Sequence, residues 1–562
     1  MADIASLRAP AAPAPPAPTR PPAALPATPA VHRRRRLVAA LAALLLIALA
    51  IALAAVLSGS SGPPPPAIGA ASVVPADALV YVHVSTDQSR APVTKTVALD
   101  RRLPGFYSLT GSVVDRLDAI LGGGATLNYA RDVRPWIGKE AALALLDTTS
   151  SSAGSLIVLD VRDRGRVQAL LRRTGATAAG SYRGIVIEGY RTGTELAFVK
   201  HYLVLGQDAS VRSAIDVATK STPSLAGTPA YDEAAAGEPA DRVLDAYVSA
   251  AGVRRVLANA TGPLGALGAL LSQPATTATT ISVSPASGGV RIRVHGALSA
   301  GLLKVTGRPR QFQPKLPDVL PTGSMVLVDA ARLDTAVPRI LDALGSLGIA
   351  DRVQPLIGRL GSALSAQSVH LGNVLELLHG EAAVALIPGA AGAAPAPALI
   401  ARVTNQAQAR QTLANLEVPL QQLFPAPGSG PGQEAEWNDQ QVAGITVHEL
   451  GVAPGLQLDY AVFDGLAVVS TSPDAIGAIA RHTHPLSADP GYRTSVGDQA
   501  NRVTSLVSVD FSQLLSLADQ TGLTHGASVG AIGPDLARIH AVGLTSAAGD
   551  NDTTAELFLQ IS

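Results

Sequence analysis

The chain has 562 residues, of which 47% are hydrophobic, with 43 Lys and Arg against 43 Asp and Glu and no cysteine. The length exceeds one ordinary domain of about 150 residues, and the lack of cysteine excludes thiol catalysis, disulfides, cysteine-ligated metal sites and a lipid-modified cysteine. Aromatic residues make up 3% of the chain, and after residue 66 the 37 basic residues are outnumbered by 42 acidic ones, so we expect neither nucleic acid binding nor sugar stacking.

The N-terminal region divides into a tail, a basic flank and an apolar run. Residues 1–31 are rich in Ala and Pro and are predicted to be a disordered cytoplasmic tail. Four arginines, Arg33 to Arg36, precede residues 37–57, which contain no charge, Gly or Pro. As a helix this run is about 31 Å long, the thickness of a bilayer core. Because the basic flank stays in the cytoplasm, we predict one transmembrane helix within residues 32–57 and an extracytoplasmic remainder of the chain.

A cleaved secretion signal is the alternative interpretation of the same run. Ala52-Leu53-Ala54 has the small-x-small pattern that signal peptidase accepts. The apolar run is longer than the usual signal-peptide core of about 7 to 15 residues, which favours a retained signal anchor. Residues 58–72, rich in Ser, Gly and Pro, then follow as a predicted linker.

Beyond the linker, sequence segments recur in the same order. Three matching pairs are VVPADALVYVHVS (73–85) with VLPTGSMVLVDAA (319–331), GKEAALALLD (138–147) with HGEAAVALIPG (379–389), and AFVKHYLVLGQDASVRSAI (197–215) with AVFDGLAVVSTSPDAIGAI (461–479). A shared order of individually weak matches indicates an internal duplication.

The duplication gives the predicted fold class, α+β. Apolar β-branched runs alternate with helical patterns, and tight turns at residues 199–203 and 284–289 indicate antiparallel hairpins. We expect two tandem homologous units, 73–299 and 316–562, each an antiparallel sheet with packed helices, joined by a linker at 300–315.

The segments VVPADALVYVHV, PWIGKEAALALL, SLIVLDV, YRGIVIEGY, FVKHYLVLGQDASVRSAI and SLAGTPAY resemble an uncharacterised bacterial family, that of domain of unknown function 3352. The likeness covers most of residues 68–562. It implies one N-terminal transmembrane segment before the domain. It implies no activity, cofactor or catalytic residue.

A G-x-S-x-G pattern places Ser528 as a candidate nucleophile, with Asp535 and His540 following in the order of a hydrolase triad. A nucleophile elbow needs a buried strand before the serine and a helix after it. LADQTGLTH precedes Ser528 and only a hairpin follows, so we do not expect catalysis there.

His482 and His484, with Asp489 nearby, could supply two imidazoles and a carboxylate to a metal ion. They lie in a predicted polar loop without a fourth ligand at a recognisable spacing, which favours a solvated loop. Asp550 and Asp552 resemble the start of a calcium loop but lack its Gly and distal Glu.

Glu140 and Glu381 begin matching apolar strands of the two predicted units. One interpretation is a solvent-facing strand end, and the other is a pair of carboxylates that face each other across the interface between the units.

These observations predict a single-pass membrane-anchored protein of the bacterial cell envelope that binds or scaffolds and is not an enzyme. The membrane is the expected partner, envelope proteins or lipid are further candidate partners, and no cofactor is expected. A carrier of apolar or lipid ligands and an envelope serine hydrolase using Ser528 are the alternatives.

Overall fold

The computed structural model of the protein describes residues 64–94, 129–146, 154–253, 277–297, 310–334, 362, 364, 371–389, 393–424, 435–453, 455–497, 502–520, 536–550 and 552–561. The predicted tail and transmembrane segment lie outside these residues. Among the described residues, no helix is both long enough and apolar enough to cross a membrane.

The described part of the first half, residues 64–297, contains ten strands. They are β1 (Val80–Ser85), β2 (Ile137–Leu145), β3 (Ser155–Val161), β4 (Thr177–Tyr182), β5 (Ile185–Gly189), β6 (Glu195–Val199), β7 (Tyr202–Gly206), β8 (Leu244–Val248), β9 (Thr279–Ala286) and β10 (Gly289–Ala297). They pair antiparallel in the order β4-β5-β6-β7-β3-β2-β1-β8-β9-β10.

The second half, residues 310–561, also contains ten strands in its described part. They are β11 (Val326–Ala331), β12 (Glu381–Ile387), β13 (Ala396–Arg402), β14 (Trp437–Val442), β15 (Ile445–Ala453), β16 (Leu456–Phe463), β17 (Leu466–Ser470), β18 (Ser505–Asp510), β19 (Ile539–Ala548) and β20 (Asp552–Ile561). Their order, β14-β15-β16-β17-β13-β12-β11-β18-β19-β20, is the order of the first half.

The two halves also share strand register. Ser85 lies opposite Glu140 on the β1–β2 pair, and Ala331 lies opposite Glu381 on the β11–β12 pair. We call two residues matched when they occupy the same place in this common strand order and register, or continue it along the chain without a gap. His83 and Asp329, two residues before Ser85 and Ala331, are matched in this sense.

The last strand of each half joins the two into one sheet. β10 pairs antiparallel with β20, with Arg293 opposite Glu556 at the middle of the pair. The sheet is therefore continuous through all twenty described strands, and every pairing is antiparallel. The predicted antiparallel α+β fold is confirmed at this level.

Turn chemistry explains why adjacent strands pair as hairpins. β4 and β5 are joined by Arg183 and Gly184, with φ of 50° and 79°, and β14 and β15 by Ala443 and Gly444, with φ of 52° and 84°. Two residues with positive φ form the turn whose twist matches that of the flanking strands. The hairpins predicted at 199–203 and 284–289 are also present, as β6–β7 and β9–β10.

Helices cover the sheet on both faces. The described helices are α1 (Arg164–Thr174), α2 (Asp208–Ala218), α3 (Pro229–Ala235), α4 (Leu371–Glu376), α5 (Gln406–Ala414), α6 (Glu417–Gln421), α7 (Pro473–Arg481), α8 (Pro490–Val496) and α9 (Phe511–Gln520). α1 and α5 begin alike, because the side chains of Asp163 and Asn405 accept hydrogen bonds from the backbone N–H three residues later.

Strand β7 shows how the core is divided. Tyr202 and Val204 pack in one buried cluster with α2, whereas Leu203 and Leu205 pack in another with α1. Successive side chains of a strand point to opposite faces. β7 is therefore buried on both faces, and its sequence, YLVLG, has no polar residue in alternation.

The structure moves both predicted linker boundaries. Gly69–Val73 forms a short 3₁₀ helix in which Ala70 and Ala71 are fully buried, so the first half begins before residue 73. In the second half Phe312 pairs with Val503, so residues 312–315 belong to the fold instead of a linker.

Candidate functional site

A buried ionic cluster lies on the first half of the sheet, centred on His83. The His83 side chain is fully buried, with Nδ1 2.9 Å from Oδ1 of Asp245 and Nε2 3.4 Å from Oε2 of Glu140. Asp245 also accepts a hydrogen bond from Nε of Arg242 at 3.0 Å. The three strands β2, β1 and β8, with Arg242 just before β8, thus bring two acids and two bases together in the core.

Glu140 connects this cluster to the start of the domain. Its carboxylate accepts hydrogen bonds from the Tyr202 hydroxyl at 2.7 Å and from the Ala70 N–H at 3.1 Å. Burying an ionised carboxylate is costly unless charges and donors compensate it. Glu140 has both, and it holds the 3₁₀ helix of residues 69–73 against the sheet.

The cluster is ionised at neutral pH. Burial alone would lower the pKa of His83, but Asp245 and Glu140 outweigh burial and raise this pKa to about 9. Burial raises the pKa of both carboxyls, but His83 and their other donors prevail and lower the pKa of Glu140 and of Asp245. His83 is therefore a buried imidazolium between two carboxylates.

The matched residues of the second half are different. Asp329 replaces His83, Leu506 replaces Asp245, and Glu381 stays in the place of Glu140. Asp329 is fully buried beside the carboxyl of Glu381, and no ion pair joins it to a described base. Burial and then the charge of Glu381 raise the pKa of Asp329 to about 9, so this carboxyl is protonated at neutral pH.

Glu381 has the same structural role as Glu140. Its Oε1 accepts hydrogen bonds from the N–H of Leu316 at 2.7 Å and of Lys315 at 2.5 Å, at the start of the 3₁₀ turn Leu316–Asp318. Both interpretations offered by the sequence are therefore wrong. Glu140 is buried instead of solvent-facing, and eight strands separate β2 from β12, so the two carboxylates do not face each other.

Next to Glu381 lies a cavity of about 620 Å³. Its described lining includes Arg310, Phe312, Asn373, Glu376, Leu377, His379, Glu381, Arg402, Thr404, Asn405, Gln408 and Ala409. Cavities of about 300 to 1,000 Å³ are typical of small-molecule sites. A space of only about 20 Å³ is found beside α1 in the first half, enclosed by apolar side chains.

Side-chain size explains this difference. Trp136, buried against α1, is matched by Leu377, and Val167 on α1 is matched by Ala409 on α5. Both of the smaller residues line the cavity. Missing side-chain volume that the surroundings do not fill remains as a void.

A second difference between the halves is the replacement of Arg162 by the shorter Thr404. In the first half, Nε and Nη2 of Arg162 donate hydrogen bonds to the carbonyls of Pro135 and Arg134 at 3.2 and 3.1 Å, which holds this arginine beside the segment that ends in Trp136. The matched residue of the second half is Thr404, which lines the cavity and is too short to span it.

The two candidate metal-binding histidines, His482 and His484, lie at the surface. His482 is exposed in the left-handed conformation, with φ of 48°, at the C-terminal end of α7, and its Nδ1 is 2.8 Å from the Ala480 carbonyl. His484 is exposed as well. Asp489 instead caps α8, accepting from the N–H of Gly491 and Tyr492. Among the described residues, no three His, Asp or Glu side chains are placed so that they could hold a metal ion.

The hydrolase pattern falls mainly outside the described residues, which exclude Ser528 and Asp535. His540 is described, and its Nδ1 is 3.0 Å from the hydroxyl of Ser512 on α9. The expectation that Ser528 is not catalytic therefore stays a prediction, and the serine hydrolase stays an untested alternative.

Sequence reasoning missed the buried polar residues and the cavity. His83, Asp245 and Asp329 are ionisable residues within otherwise largely apolar strand segments, VYVHVS, LDAYV and VLVDAA. A buried polar side chain needs a partner, and that signal was available. The cavity gave no such signal, because it depends on differences in side-chain size between segments far apart in the chain.

The fold and site define an antiparallel α+β protein with a buried ionic cluster in one half and a polar cavity in the other. The chain belongs to the protein family of unknown function DUF3352, whose family model matches residues 38–561. No curated protein matches it. Crystal forms III and I of TP0453 are similar solved structures, each with 11% identity, a TM-score of 0.26 and 42% of this chain covered, and with 85% and 80% of the TP0453 chain covered.

Proposed function

We propose that this protein is a membrane-anchored, non-enzymatic binding module of the bacterial cell envelope. Residues 1–31 lie in the cytoplasm, one helix within residues 32–57 crosses the membrane, and two copies of one duplicated unit lie outside. The second copy holds the ligand in the cavity beside Glu381. The cavity of about 620 Å³ is the observation that carries this proposal.

Support for the duplication comes from the matching strand order and register of the two halves. Support for ligand binding comes from their difference, because residues that close the space in the first half are matched by smaller ones in the second. The space is open to solvent, because Arg310 and Glu376 on its lining are exposed, so a small molecule can reach it. Its size is within the range that is typical of small-molecule sites.

Native mass spectrometry of the full chain, purified in detergent from its own membranes, tests binding. We expect a population carrying a small-molecule adduct that Leu377→Trp combined with Ala409→Val removes. Leu456→Trp, at an exposed position on β16, is the matched control and should keep the adduct. A clean ligand-free mass for the unaltered chain would contradict the proposal.

The absence of cysteine makes the orientation directly testable. We expect a membrane-impermeant maleimide to label Thr483→Cys in intact cells and to label Ala12→Cys only after lysis. The reverse pattern would overturn the predicted orientation.

A carrier of apolar or lipid ligands is the second candidate, supported by a different observation. Val328 on β11 and Val384 on β12 lie opposite each other and are 42% and 47% exposed. Exposed adjacent apolar side chains favour contact with an apolar partner. A lipid mass in the same native spectrum, unaffected by Leu377→Trp combined with Ala409→Val, would favour this candidate over the cavity.

A further inference from the structure

We infer that the cavity beside Glu381 recognises a small organic anion, through its carboxylate or phosphate group, by means of Arg310 and Arg402. This inference rests on the proposed function and names the chemical class of its ligand.

Arg402 is the last residue of β13, at the end of the strand next to Glu381. Its Nε is 3.7 Å from Oε2 of Glu381, which is an ion-pair distance but too long for a hydrogen bond. The side chain is 40% exposed and lines the cavity. Its guanidinium N–H groups are therefore available to a ligand.

Glu381 only partly compensates the positive charge of Arg402. Its Oε1 already accepts two backbone N–H groups, from Lys315 and Leu316, which compensate much of its charge. The neighbouring Asp329 is protonated and adds no negative charge at neutral pH. Glu381, the carboxylate nearest to Arg402, therefore already binds two backbone N–H groups through its other oxygen.

Arg310 is exposed and lines the same cavity. Within the described ranges no ion pair joins it to an acidic side chain. Two guanidinium groups at one cavity are suited to an oxyanion, because each presents a planar fork of donors that can bind two oxygens at once. A ligand whose only charged group is an amine would instead be repelled by the two guanidinium groups.

The remaining lining residues restrict the chemical class of the ligand further. His379 is 3.0 Å from a carboxylate oxygen of Asp334, and the exposed Glu376 adds a carboxylate to the lining, so the site favours a ligand that carries polar or basic groups beside its anionic group. Asn373 and Thr404 add polar groups, and Leu377 adds an apolar surface. The expected ligand has an anionic group and a small partly apolar body.

The first half lacks this chemistry. Asp160 is matched to Arg402, and its carboxylate accepts the Lys139 N–H at 2.6 Å. A carboxylate repels an anion where the second half presents a guanidinium. We therefore assign anion recognition to the second half alone.

Isothermal titration calorimetry of the full chain in detergent tests the inference, with inorganic phosphate and succinate as the two anionic probes. Glycerol is the neutral control and choline the cationic one. We expect at least one anion to bind and both controls to give no binding heat. Whichever anion binds more tightly shows whether phosphate or carboxylate is the preferred group.

Arg402→Gln should weaken binding of that anion by about tenfold or more, because it removes a charge-assisted donor pair. Arg493→Gln, an exposed position on α8, changes the net charge equally and should leave the affinity unchanged. Binding of neither anion, or equal binding by Arg402→Gln and the unaltered chain, would overturn the inference. A native adduct without an anionic group would also overturn it while leaving the proposed function intact.

Discussion

The two halves of the sheet share strand order and register, yet they treat a buried charge at the same position in opposite ways. In the first half His83 carries a positive charge between two carboxylates. In the second half Asp329 faces Glu381 and must keep its proton. One arrangement compensates the charge and the other avoids it, and the difference shows that the fold tolerates either solution.

The largest expected effect on stability comes from Asp329. Its unfolded pKa is near 3.8 and its folded pKa is about 9, so between these pH values the folded chain binds one more proton than the unfolded chain. Stability is then lost as pH rises, by about 1.4 kcal/mol per pH unit. We expect Asp329→Asn to stabilise the chain increasingly from pH 4 to 9 in denaturant titrations.

Asp474→Asn, at an exposed position on α7, is the matched control for this comparison and should shift stability little at any pH. A constant difference between Asp329→Asn and the unaltered chain across this range would show that Asp329 is not protonated in the folded state.

The next largest effect is expected from His83→Gln. Removing the cation leaves Glu140 and Asp245 buried without their shared partner, at a cost of about 3 to 5 kcal/mol. Hydrogen exchange should reveal lost protection in β1, β2 and β8 and unchanged protection in β11, β12 and β18. His484→Gln, an exposed substitution, should change neither set. Full protection of β1 in His83→Gln would contradict the ionic cluster.

The ionic cluster also has a pH window of its own. The folded pKa of His83 is about 9, so its stabilisation is fully present below the ordinary value of 6.5 and is lost as pH rises towards 9. Glu140 and Asp245 have lowered pKa values, so their contribution is lost as pH falls into the acid range.

A smaller effect is expected from opening the space beside α1 in the first half and from filling the space beside the matched helix α5 in the second. Trp136→Leu places the second-half residue in the first half and should cost about 2 kcal/mol through lost burial and a new void. Leu377→Trp makes the reverse exchange and should fill space that is already present. Equal destabilisation by both variants in denaturant titrations would contradict the assignment of the cavity.

The smallest effect is expected at His482. Its left-handed conformation favours glycine, so His482→Gly should stabilise the end of α7 by about 0.5 kcal/mol. Lys220, just past α2 in the first half, has φ of 59°, and Lys220→Gly should act alike. A large loss of stability on thermal melting of His482→Gly would point to a role beyond the helix end.

The antiparallel sheet and its hairpins were predictable from local patterns, because strand alternation and turn residues such as Ala443-Gly444 act over a few positions. The roles of Glu140 and Glu381 were not, since the N–H groups that they accept come from Ala70 and Leu316, about 65 to 70 residues earlier in the chain. Their matching positions were visible in the sequence. Their burial was not.

The position of Arg402 in the site could not be predicted from the sequence either. In the sequence it is one arginine at the end of an apolar run, and only strand pairing places it beside Glu381 and opposite in character to Asp160. Long-range pairing therefore decides the site, whereas local pattern decides the fold.

The number of anion-binding sites per full chain tests the central difference between the halves most directly. Calorimetric titration with the tighter-binding of phosphate and succinate should give one site per chain, and Leu377→Trp should abolish it. Two sites per chain, or one site that Leu377→Trp leaves intact, would contradict the account.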